Sequence, residues 1–402
     1  MLRPVLSCKE HPQQNTITYL GSRLNTGSRF LQSPPAPLPH MHLYIHVPFC
    51  NKICPYCAFY KHRLGKIDLR GYIAGVIEEA KRRIPQGAQP QTIYFGGGTP
   101  SMLSPTHLKS MVDGLKEWLD FSCVQEWSFE TNPATFTPQK VEQWVQLGIT
   151  RISLGSQSFE PDLLKLLGRE HSPEQISESV AMLRAAGMPQ INLDLMFSLP
   201  GQSIDQWEHT LECALALEPN HISTYNLSYE EDTDFYRQYG ADAGDEETDI
   251  AMFTLADKLL HTAGYRHYEI SNYAKDGAIS LHNWACWCGE DYYGLGPGAC
   301  GTIGMLRYRN TENTTKYIHD LAAGKLSEAE CECLSPQARR TELLGLRIRT
   351  DEGVPHHLLL PHNQDFIRML IQEGLARLTH QNNLTLTLQG RLVADEIATG
   401  LL

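Results

Sequence analysis

The sequence predicts an α/β protein built on a parallel sheet. From Met41 onward, short apolar segments rich in β-branched and aromatic residues alternate with longer segments that carry helix-start signals. Six strands separated by helices favour parallel pairing with right-handed crossovers. Polar or glycine-rich residues follow the ends of five successive strands. In barrel-like arrangements of this kind the carboxyl ends of the strands carry the chemistry.

Local signals justify each element in turn. Helix starts are predicted where a Ser or Thr cap precedes a Pro or pairs with a Gln three residues later, at Ser104-Pro105, Thr137-Pro138, Ser172-x-x-Gln175 and Ser203-x-x-Gln206. The first helix is predicted over about 68–84. The six strands are predicted at His42–Val47, Thr92–Phe95, Trp127–Glu130, Arg151–Leu154, Ile191–Leu195 and Ile222–Tyr225.

Four segments are predicted along the chain. Residues 1–40 are an extension, either disordered or upstream of a start at Met41, with an organellar transit peptide as the alternative. Residues 41–228 form the strand-and-helix core, and 229–333 a loop-rich extension that covers it. Residues 334–402 are predicted to form a small helical, winged-helix-like domain. They contain seven Arg, no Lys and seven Asp plus Glu, so this domain lacks the charge of a DNA reader.

Composition excludes several classes of protein. The 402 residues carry a formal net charge of −12, which argues against nucleic-acid binding. No apolar run of about 18 residues is present, so no transmembrane segment is predicted. Eleven cysteines, an odd number, do not suggest a disulfide framework. They favour a reducing compartment, and we predict a cytoplasmic location.

Three cysteines follow the first strand at C-x3-C-x2-C spacing: Cys50, Cys54 and Cys57. Cysteine thiolates hold [4Fe–4S] clusters, and three of them would leave one iron open to a substrate or cofactor. A structural zinc site is the alternative, with His46 or His62 as the fourth ligand. Buried core thiols are a further explanation.

Polar residues after the later strands form a second candidate site. Gly96-Gly97-Gly98-Thr99 lets a ligand approach the backbone closely, although it lacks the established phosphate-binding and dinucleotide-binding patterns. Glu130, Gln157, Arg169 and Asp194 could together bind a zwitterionic nucleoside, because carboxylates suit ammonium or hydroxyl groups and Arg suits a carboxylate. Taken singly, each is better explained as an ordinary cap or ion-pair residue, so the prediction depends on their convergence.

An aromatic segment around His282 is the third candidate site. His282 is followed by Asn283, Trp284 and Trp287. Such a His could ligate haem iron while the aromatic rings stack on the macrocycle. A packed aromatic loop with a hydrogen-bonded His is the structural explanation.

These motifs resemble the radical S-adenosylmethionine (SAM) superfamily, and within it the branch of oxygen-independent coproporphyrinogen III oxidases and HemW-type haem chaperones. The resemblance covers about 41–402. It rests on Tyr44-x-His46-x-Pro48-Phe49-Cys50-x3-Cys54-x-Tyr56-Cys57, Gly96-Gly97-Gly98-Thr99-Pro100, Glu130-x-Asn132-Pro133, Arg151-x-Ser153-x-Gly155-x-Gln157-Ser158 and Asp194-Leu195-x3-Leu199-Pro200.

The resemblance implies a partial (β/α)6 barrel in which Cys50, Cys54 and Cys57 hold a [4Fe–4S] cluster. SAM would chelate the open iron, and its reductive cleavage would give a 5′-deoxyadenosyl radical. The residues implied to contact SAM are Tyr44, Tyr56, Gly98, Thr99, Glu130, Gln157, Arg169 and Asp194. The oxidases carry a second SAM, and Ser228 and Cys300 stand at the positions of its neighbours.

Sequence details favour the chaperones within this branch. The oxidases extend the cluster motif to C-x3-C-x2-C-x-C, whereas this chain has Phe59 at the last position. The chaperones carry an H-N-x-x-Y-W motif associated with haem, which His282-Asn283-x-x-Cys286-Trp287 matches except for Cys286. They also commonly have G-P-G-A-H, where this chain ends in Cys300.

The resemblance therefore implies a chaperone that takes up haem and transfers it to an acceptor haemoprotein, such as a respiratory enzyme at a membrane. The alternative is oxidative decarboxylation of coproporphyrinogen III in haem biosynthesis.

Overall fold

The computed structural model describes residues 41–65, 67–240, 244–275 and 277–402. The predicted extension 1–40 lies outside the described residues. The strands are β1 (Met41–Val47), β2 (Phe49–Cys50), β3 (His62–Arg63), β4 (Pro90–Gly97), β5 (Glu126–Thr131), β6 (Arg151–Gln157), β7 (Gln190–Phe197), β8 (His221–Asn226), β9 (Arg266–His267), β10 (Asn272–Ala274), β11 (Tyr292–Leu295), β12 (Cys300–Ile303), β13 (Leu306–Asn310), β14 (Glu328–Cys333), β15 (Ala376–Leu378) and β16 (Leu384–Leu386).

The helices surround and follow these strands. They are α1 (Leu69–Arg83), α2 (Pro105–Lys116), α3 (Pro138–Leu147), α4 (Pro161–Leu166), α5 (Pro173–Ala185), α6 (Ile204–Ala216), α7 (Asp234–Tyr239), α8 (Glu246–Thr262), α9 (Leu281–Trp287), α10 (Thr314–Ala322), α11 (Pro336–Arg347), α12 (Gln364–Gln372), α13 (Leu388–Leu392) and α14 (Ala394–Gly400). No helix in the described part of the chain is long and apolar enough to cross a membrane.

The central sheet confirms the six predicted strands. Its order is β14-β13-β12-β11-β1-β4-β5-β6-β7-β8-β10-β9, and the pairs from β1 to β8 are parallel. A further parallel strand, β11, pairs with the outer edge of β1. Within the described residues the order is that of an open sheet, as a partial barrel requires.

The two faces of the parallel strands differ in polarity, because successive side chains point to opposite faces. In β1, the fully buried Leu43, Ile45 and Val47 belong to the main hydrophobic core together with residues of the surrounding helices. The alternate residues, His42, Tyr44 and His46, lie on the other face. The same alternation continues across β4 to β8, so the interior of the partial barrel is lined with polar side chains.

Capping explains where the outer helices begin. Ser104 accepts from the amide of His107, and Ser172 and Ser203 each complete a capping box. These predictions are confirmed. Thr137 precedes Pro138 as predicted, but its side chain makes no capping bond. Helices α1, α2 and α3 then pack side by side against the sheet, which places the loops after β4 and β5 above its carboxyl edge.

The segment 229–333 differs from the loop-rich extension expected. It contains α7 to α10 and the strands β9 to β14, which extend the central sheet beyond both β1 and β8. These strands have two to six residues. Strands this short show little periodicity, so the sequence did not reveal them.

The C-terminal residues have a small hydrophobic core of their own. Leu344, Ile348, Leu370, Leu384 and Leu386 are among its buried members. Helices α11 and α12, the β15–β16 hairpin and the short helices α13 and α14 follow one another along this segment. The last strand ends at Leu386, because the Thr387 side chain caps helix α13. The domain boundary at 334 stays a prediction.

Candidate functional site at the carboxyl ends of the barrel strands

The polar interior has two ends, which we name the rim and the floor. The rim is at the carboxyl ends of the strands and comprises the loop 48–63, residues 96–99, residues 130–132, Gln157 and Arg169. The floor is at the amino ends and comprises His42, Thr92, Glu126, Arg151 and the start of α9 with His282. The predicted cluster and SAM residues belong to the rim or lie just below it, whereas the predicted haem residue belongs to the floor.

The cysteine loop lies directly above β1. Cys50 ends the short strand β2, and the amide of Cys57 donates to the carbonyl of Cys54 at 3.2 Å, which closes a turn. All three thiols are free and partly buried. Burial raises the pKa of Cys50 to about 11 and also raises the pKa of Cys57. Without a metal the sulfurs of Cys50 and Cys57 are therefore neutral thiols, and metal binding would release their protons.

The donor set fits a cluster better than a single metal ion. Within residues 41–65, 67–240, 244–275 and 277–402, no three His, Cys, Asp or Glu side chains converge on a point that could hold one ion. Ligands of one zinc ion must converge, whereas the thiolates of a cluster bind different irons. His46 and His62, the alternative zinc ligands, each have both ring nitrogens in hydrogen bonds.

A chain of hydrogen bonds connects the cysteine loop to Arg169. The Thr99 hydroxyl contacts Cys50 Sγ at 3.7 Å, and Asn132 Nδ2 donates to Thr99 Oγ1 at 3.0 Å. Asn132 Oδ1 accepts from Arg169 Nη1 at 2.7 Å, and Arg169 Nη2 donates to the Tyr56 hydroxyl at 2.8 Å. Arg169 Nε is buried with no partner among the described residues. Four predicted site residues are thus connected, and Asn132 is the link that the prediction missed.

Glu130 lies beside the glycine loop. Its carboxylate accepts from the Tyr94 hydroxyl at 2.8 Å and from the Gly97 amide at 3.0 Å. Gly97 has φ of 106°, and a Cβ there would meet the His46 ring at 2.4 Å, so this position requires glycine. Burial, reinforced by the nearby charge of Asp194, raises the pKa of Glu130 to about 7.

Asp194 is held deeper in the barrel by neutral donors. Ser153 Oγ and Asn192 Nδ2 each donate to its carboxylate at 2.7 Å. Burial raises the pKa of Asp194 despite these bonds. None of Glu130, Asp194 and Arg169 has an opposite charge within ion-pair distance in the described chain, since their hydrogen-bond partners are neutral groups.

Gln157 ends β6 in a strained conformation. Its φ is 67°, and the register of β6 with β7 shifts between Leu154 and Gln157. A Cβ at Gly155 would lie 3.1 Å from Gln157 Nε2 and 3.4 Å from Arg169 Nη2. The Gln157 amide and the Arg169 guanidinium therefore both lie next to Gly155. A bulge of this kind can direct a side chain into a site.

The remaining predicted residues occupy different positions. Tyr44 lies inside the barrel and its hydroxyl bonds His46 Nδ1 at 3.0 Å. The amides of Gly98 and Thr99 donate to the carbonyls of Val47 and Phe49, so these N–H groups are already used. Cys300 begins β12 and is partly buried. Ser228 follows β8 and is exposed.

His282 lies in the floor, away from the cysteine loop. Its side chain is 4% exposed, and its ring centroid is 5.0 Å from that of Tyr94. Burial lowers the pKa of His282 to about 3, so the imidazole is neutral. Its Nδ1 contacts Thr92 Oγ1 at 2.7 Å, and no hydrogen bond to its Nε2 occurs among the described residues.

Glu126 holds the segment that carries His282. Its carboxylate accepts from the amides of Leu281 and His282 and from the Ser280 hydroxyl. It also pairs with Arg151 Nε at 2.8 Å. Sequence reasoning assigned no role to either charged residue. Their signal is the alternation of polar residues with apolar ones at the start of β5 and β6, which is unusual for strands buried on both faces.

The chain is similar to known proteins over most of its length. Residues 44–214 match the Radical SAM superfamily. The chain is 33% identical to Heme chaperone HemW of Bacillus subtilis, over 88% of this chain and 97% of that protein. The corresponding protein of Escherichia coli is 32% identical over 85% of this chain and 91% of that protein. The chain belongs to the HemW family.

Other members and neighbours support the assignment. A bovine protein, Radical S-adenosyl methionine domain-containing protein 1, mitochondrial, is 30% identical over 92% of this chain and 89% of that protein. The solved coproporphyrinogen III oxidase HemN from Escherichia coli superimposes with a TM-score of 0.78 over 91% of each chain at 21% identity, which shows the fold. Membership of the HemW family and the radical SAM superfamily implies a [4Fe–4S] cluster and SAM as cofactors.

Proposed function

We propose that this chain is a haem chaperone that binds haem and transfers it to an acceptor haemoprotein, with a radical SAM-type cluster at its rim. The observation that carries the proposal is the similarity to curated haem chaperones over nearly the whole of both chains. Phe59 stands where the oxidases have a fourth cysteine, which supports a chaperone over an oxidase. Its side chain is 37% exposed. An acceptor such as a membrane-associated respiratory enzyme is the partner we propose.

Cys50, Cys54 and Cys57 are the cluster ligands we propose. When bound, the cluster would supply an electron and one open iron for a chelating ligand. Thr99, which contacts Cys50 Sγ, would donate a hydrogen bond to the thiolate and lower its charge density. The partial burial of the three sulfurs limits the access of water to them.

Rim residues with uncompensated charge are the SAM contacts we propose. Arg169 would bind the carboxylate of the amino acid group, while Glu130 and Asp194 would accept from the ammonium or the ribose hydroxyls. A zwitterionic amino acid group carries both a carboxylate for Arg169 and an ammonium for the two acidic residues, which supports this assignment. Gln157, Tyr44, Tyr56, and the carbonyl groups of Gly98 and Thr99 would complete the contacts.

His282 is the haem contact we propose. Its neutral imidazole, the partnerless Nε2 and the neighbouring tyrosine rings fit an axial ligand in an aromatic setting. The His is buried, so the macrocycle would have to enter through movement of α9. A reducing compartment such as the cytoplasm is consistent with ten free thiols in the described chain.

An oxidase of coproporphyrinogen III is the second candidate, because the fold is that of HemN. In that case Ser228 and Cys300 would border a second SAM. Anaerobic reconstitution with iron and sulfide, followed by separate additions of haem and of coproporphyrinogen III with SAM and reductant, distinguishes the two. We expect a brown protein that binds haem and leaves coproporphyrinogen unchanged. Turnover to protoporphyrinogen without haem binding would contradict the proposal.

A further inference from the structure

Four side chains form a continuous row of contacts from the protein surface to His282. Glu290 Oε2 lies 3.0 Å from His42 Nε2, and its side chain is 44% exposed. His42 Nδ1 lies 2.9 Å from Thr92 Oγ1, which lies 2.7 Å from His282 Nδ1. His42, Thr92 and His282 are all at most 4% exposed. Water is therefore a poor substitute for any of these contacts.

The chemistry of the four groups sets the direction of each hydrogen bond. An exposed carboxylate only accepts, so His42 Nε2 carries a hydrogen that it donates to Glu290. When His42 carries only this ring hydrogen, its Nδ1 is the acceptor and receives the hydrogen bond that the Thr92 hydroxyl donates. Thr92 can now only accept from His282, so His282 Nδ1 must carry a hydrogen. The remaining nitrogen of His282, Nε2, is left with a free lone pair.

We propose that Glu290, His42 and Thr92 are positioning residues that hold His282 in the Nδ1–H tautomer and so present Nε2 as the acceptor atom of the floor. This inference rests on the proposed function for its use, since Nε2 is the atom that would ligate haem iron. Carboxylate and hydroxyl partners of this kind orient a ligating imidazole and raise its basicity. Glu126 complements them by holding the backbone of the same helix.

The tautomer can be measured in the haem-free protein. The protein is labelled with ring-15N histidine, and two-bond 1H–15N correlations report which ring nitrogen bears hydrogen in each imidazole. The signal of His282 is identified by its loss in His282→Gln. We expect His282 to be a single Nδ1–H tautomer. An Nε2–H tautomer would overturn the proposal, because Thr92 would then be donating in the opposite direction.

Thr92→Val and Thr92→Ser form a matched pair. Both keep a small side chain in β4, but only Ser keeps the hydroxyl. We expect Thr92→Val to give a mixture of His282 tautomers and to weaken haem binding by about 10- to 100-fold, while Thr92→Ser stays close to wild type in both measurements. An unchanged tautomer and an unchanged haem titration in Thr92→Val would refute the role of the row.

A surface variant tests the row if Thr92→Val does not fold. Glu290→Ala removes the carboxylate that determines the His42 hydrogen, and it should also give mixed His282 tautomers. A single Nδ1–H tautomer in Glu290→Ala would refute the part of the proposal that assigns control to Glu290. The outcomes distinguish the two proposals. Absence of haem binding by the wild-type protein contradicts the proposed function, whereas the tautomer of His282, measured without haem, tests only the role of the row.

Discussion

The rim and the floor both contain buried charged side chains, but the partners of these side chains differ. In the floor, Glu126 pairs directly with Arg151 and accepts five hydrogen bonds in all. Glu130 and Arg169 in the rim, and Asp194 just below it, have only neutral partners within the described chain. A charge paired within the protein stabilises the fold, whereas a buried charge without a counter-charge is more stable once a charged ligand binds. The contrast supports a structural role for the Glu126–Arg151 pair of the floor and the SAM-binding role that we propose for the rim.

Loss of a cluster cysteine should have the largest effect on the rim. We expect Cys54→Ser to lose nearly all bound iron and the brown chromophore after reconstitution, because two thiolates do not hold the cluster. Iron content and visible absorption measure the loss. Cys123→Ser, which changes an exposed cysteine outside the rim, is the control and should keep full iron. Full iron in Cys54→Ser would remove this residue from the ligand set.

Glu126→Gln should have the largest effect on the floor. The substitution leaves the buried Arg151 without its counter-charge, so we expect the free energy of unfolding to fall by about 3 to 5 kcal/mol. Urea unfolding measures the change. Asp234→Asn removes one partner of an exposed pair with Arg237, and it should stay within about 0.5 kcal/mol of wild type. Equal losses in the two variants would contradict the structural role of the floor.

Asn132→Ala should weaken SAM binding at the rim and leave the contacts of the floor unchanged. It removes the link between Thr99 and Arg169, and the guanidinium then loses the orientation that we assign to carboxylate binding. We expect about tenfold weaker SAM binding in calorimetric titration of the reconstituted protein. Gln139→Ala, an exposed change on α3, is the control. Unchanged SAM affinity in Asn132→Ala would separate Arg169 from the SAM site.

A smaller effect should come from pH. Glu130 has a pKa raised to about 7, so without ligand it is mostly protonated at pH 6 and mostly ionised at pH 8. The ionised form accepts the hydrogen bonds of SAM, and SAM affinity should therefore fall up to about tenfold from pH 8 to pH 6. Calorimetry at both values tests this. Glu130→Gln should flatten the dependence, and a wild-type affinity that rises toward pH 6 would reverse the assignment.

The sequence predicted the rim far better than the floor. The rim residues lie at or directly after strand ends, so a linear pattern of a strand followed by glycine or polar residues was enough to predict Cys50, Thr99, Glu130 and Gln157 at one edge of the sheet. The floor joins residues that are distant along the chain: Arg151 bonds Ala278, and His42 bonds Glu290. No local pattern encodes such pairs, because the sheet register alone makes them neighbours.

The same reason explains the strands that were missed. β11 lies beside β1 although nearly the whole barrel separates them in sequence. Its four residues are two tyrosines, one glycine and one leucine, too few to show a strand pattern. Asn132 was part of a recognised motif, yet its role depends on two partners, Thr99 and Arg169, that come from different strand-helix units.

The position of β1 also has a consequence for synthesis of the chain. When residue 226 has left the ribosome, all six core strands exist and the rim can form. The outer edge of β1 has no partner strand until residues 292–295 are made. Glu126 likewise lacks its hydrogen-bond donors at the start of α9 until residues 280–282 are made. A nascent chain thus passes through a stage in which the rim is complete, the floor is incomplete and the outer edge of β1 is unpaired. Bare edges invite pairing with other chains, so this stage is where aggregation should begin.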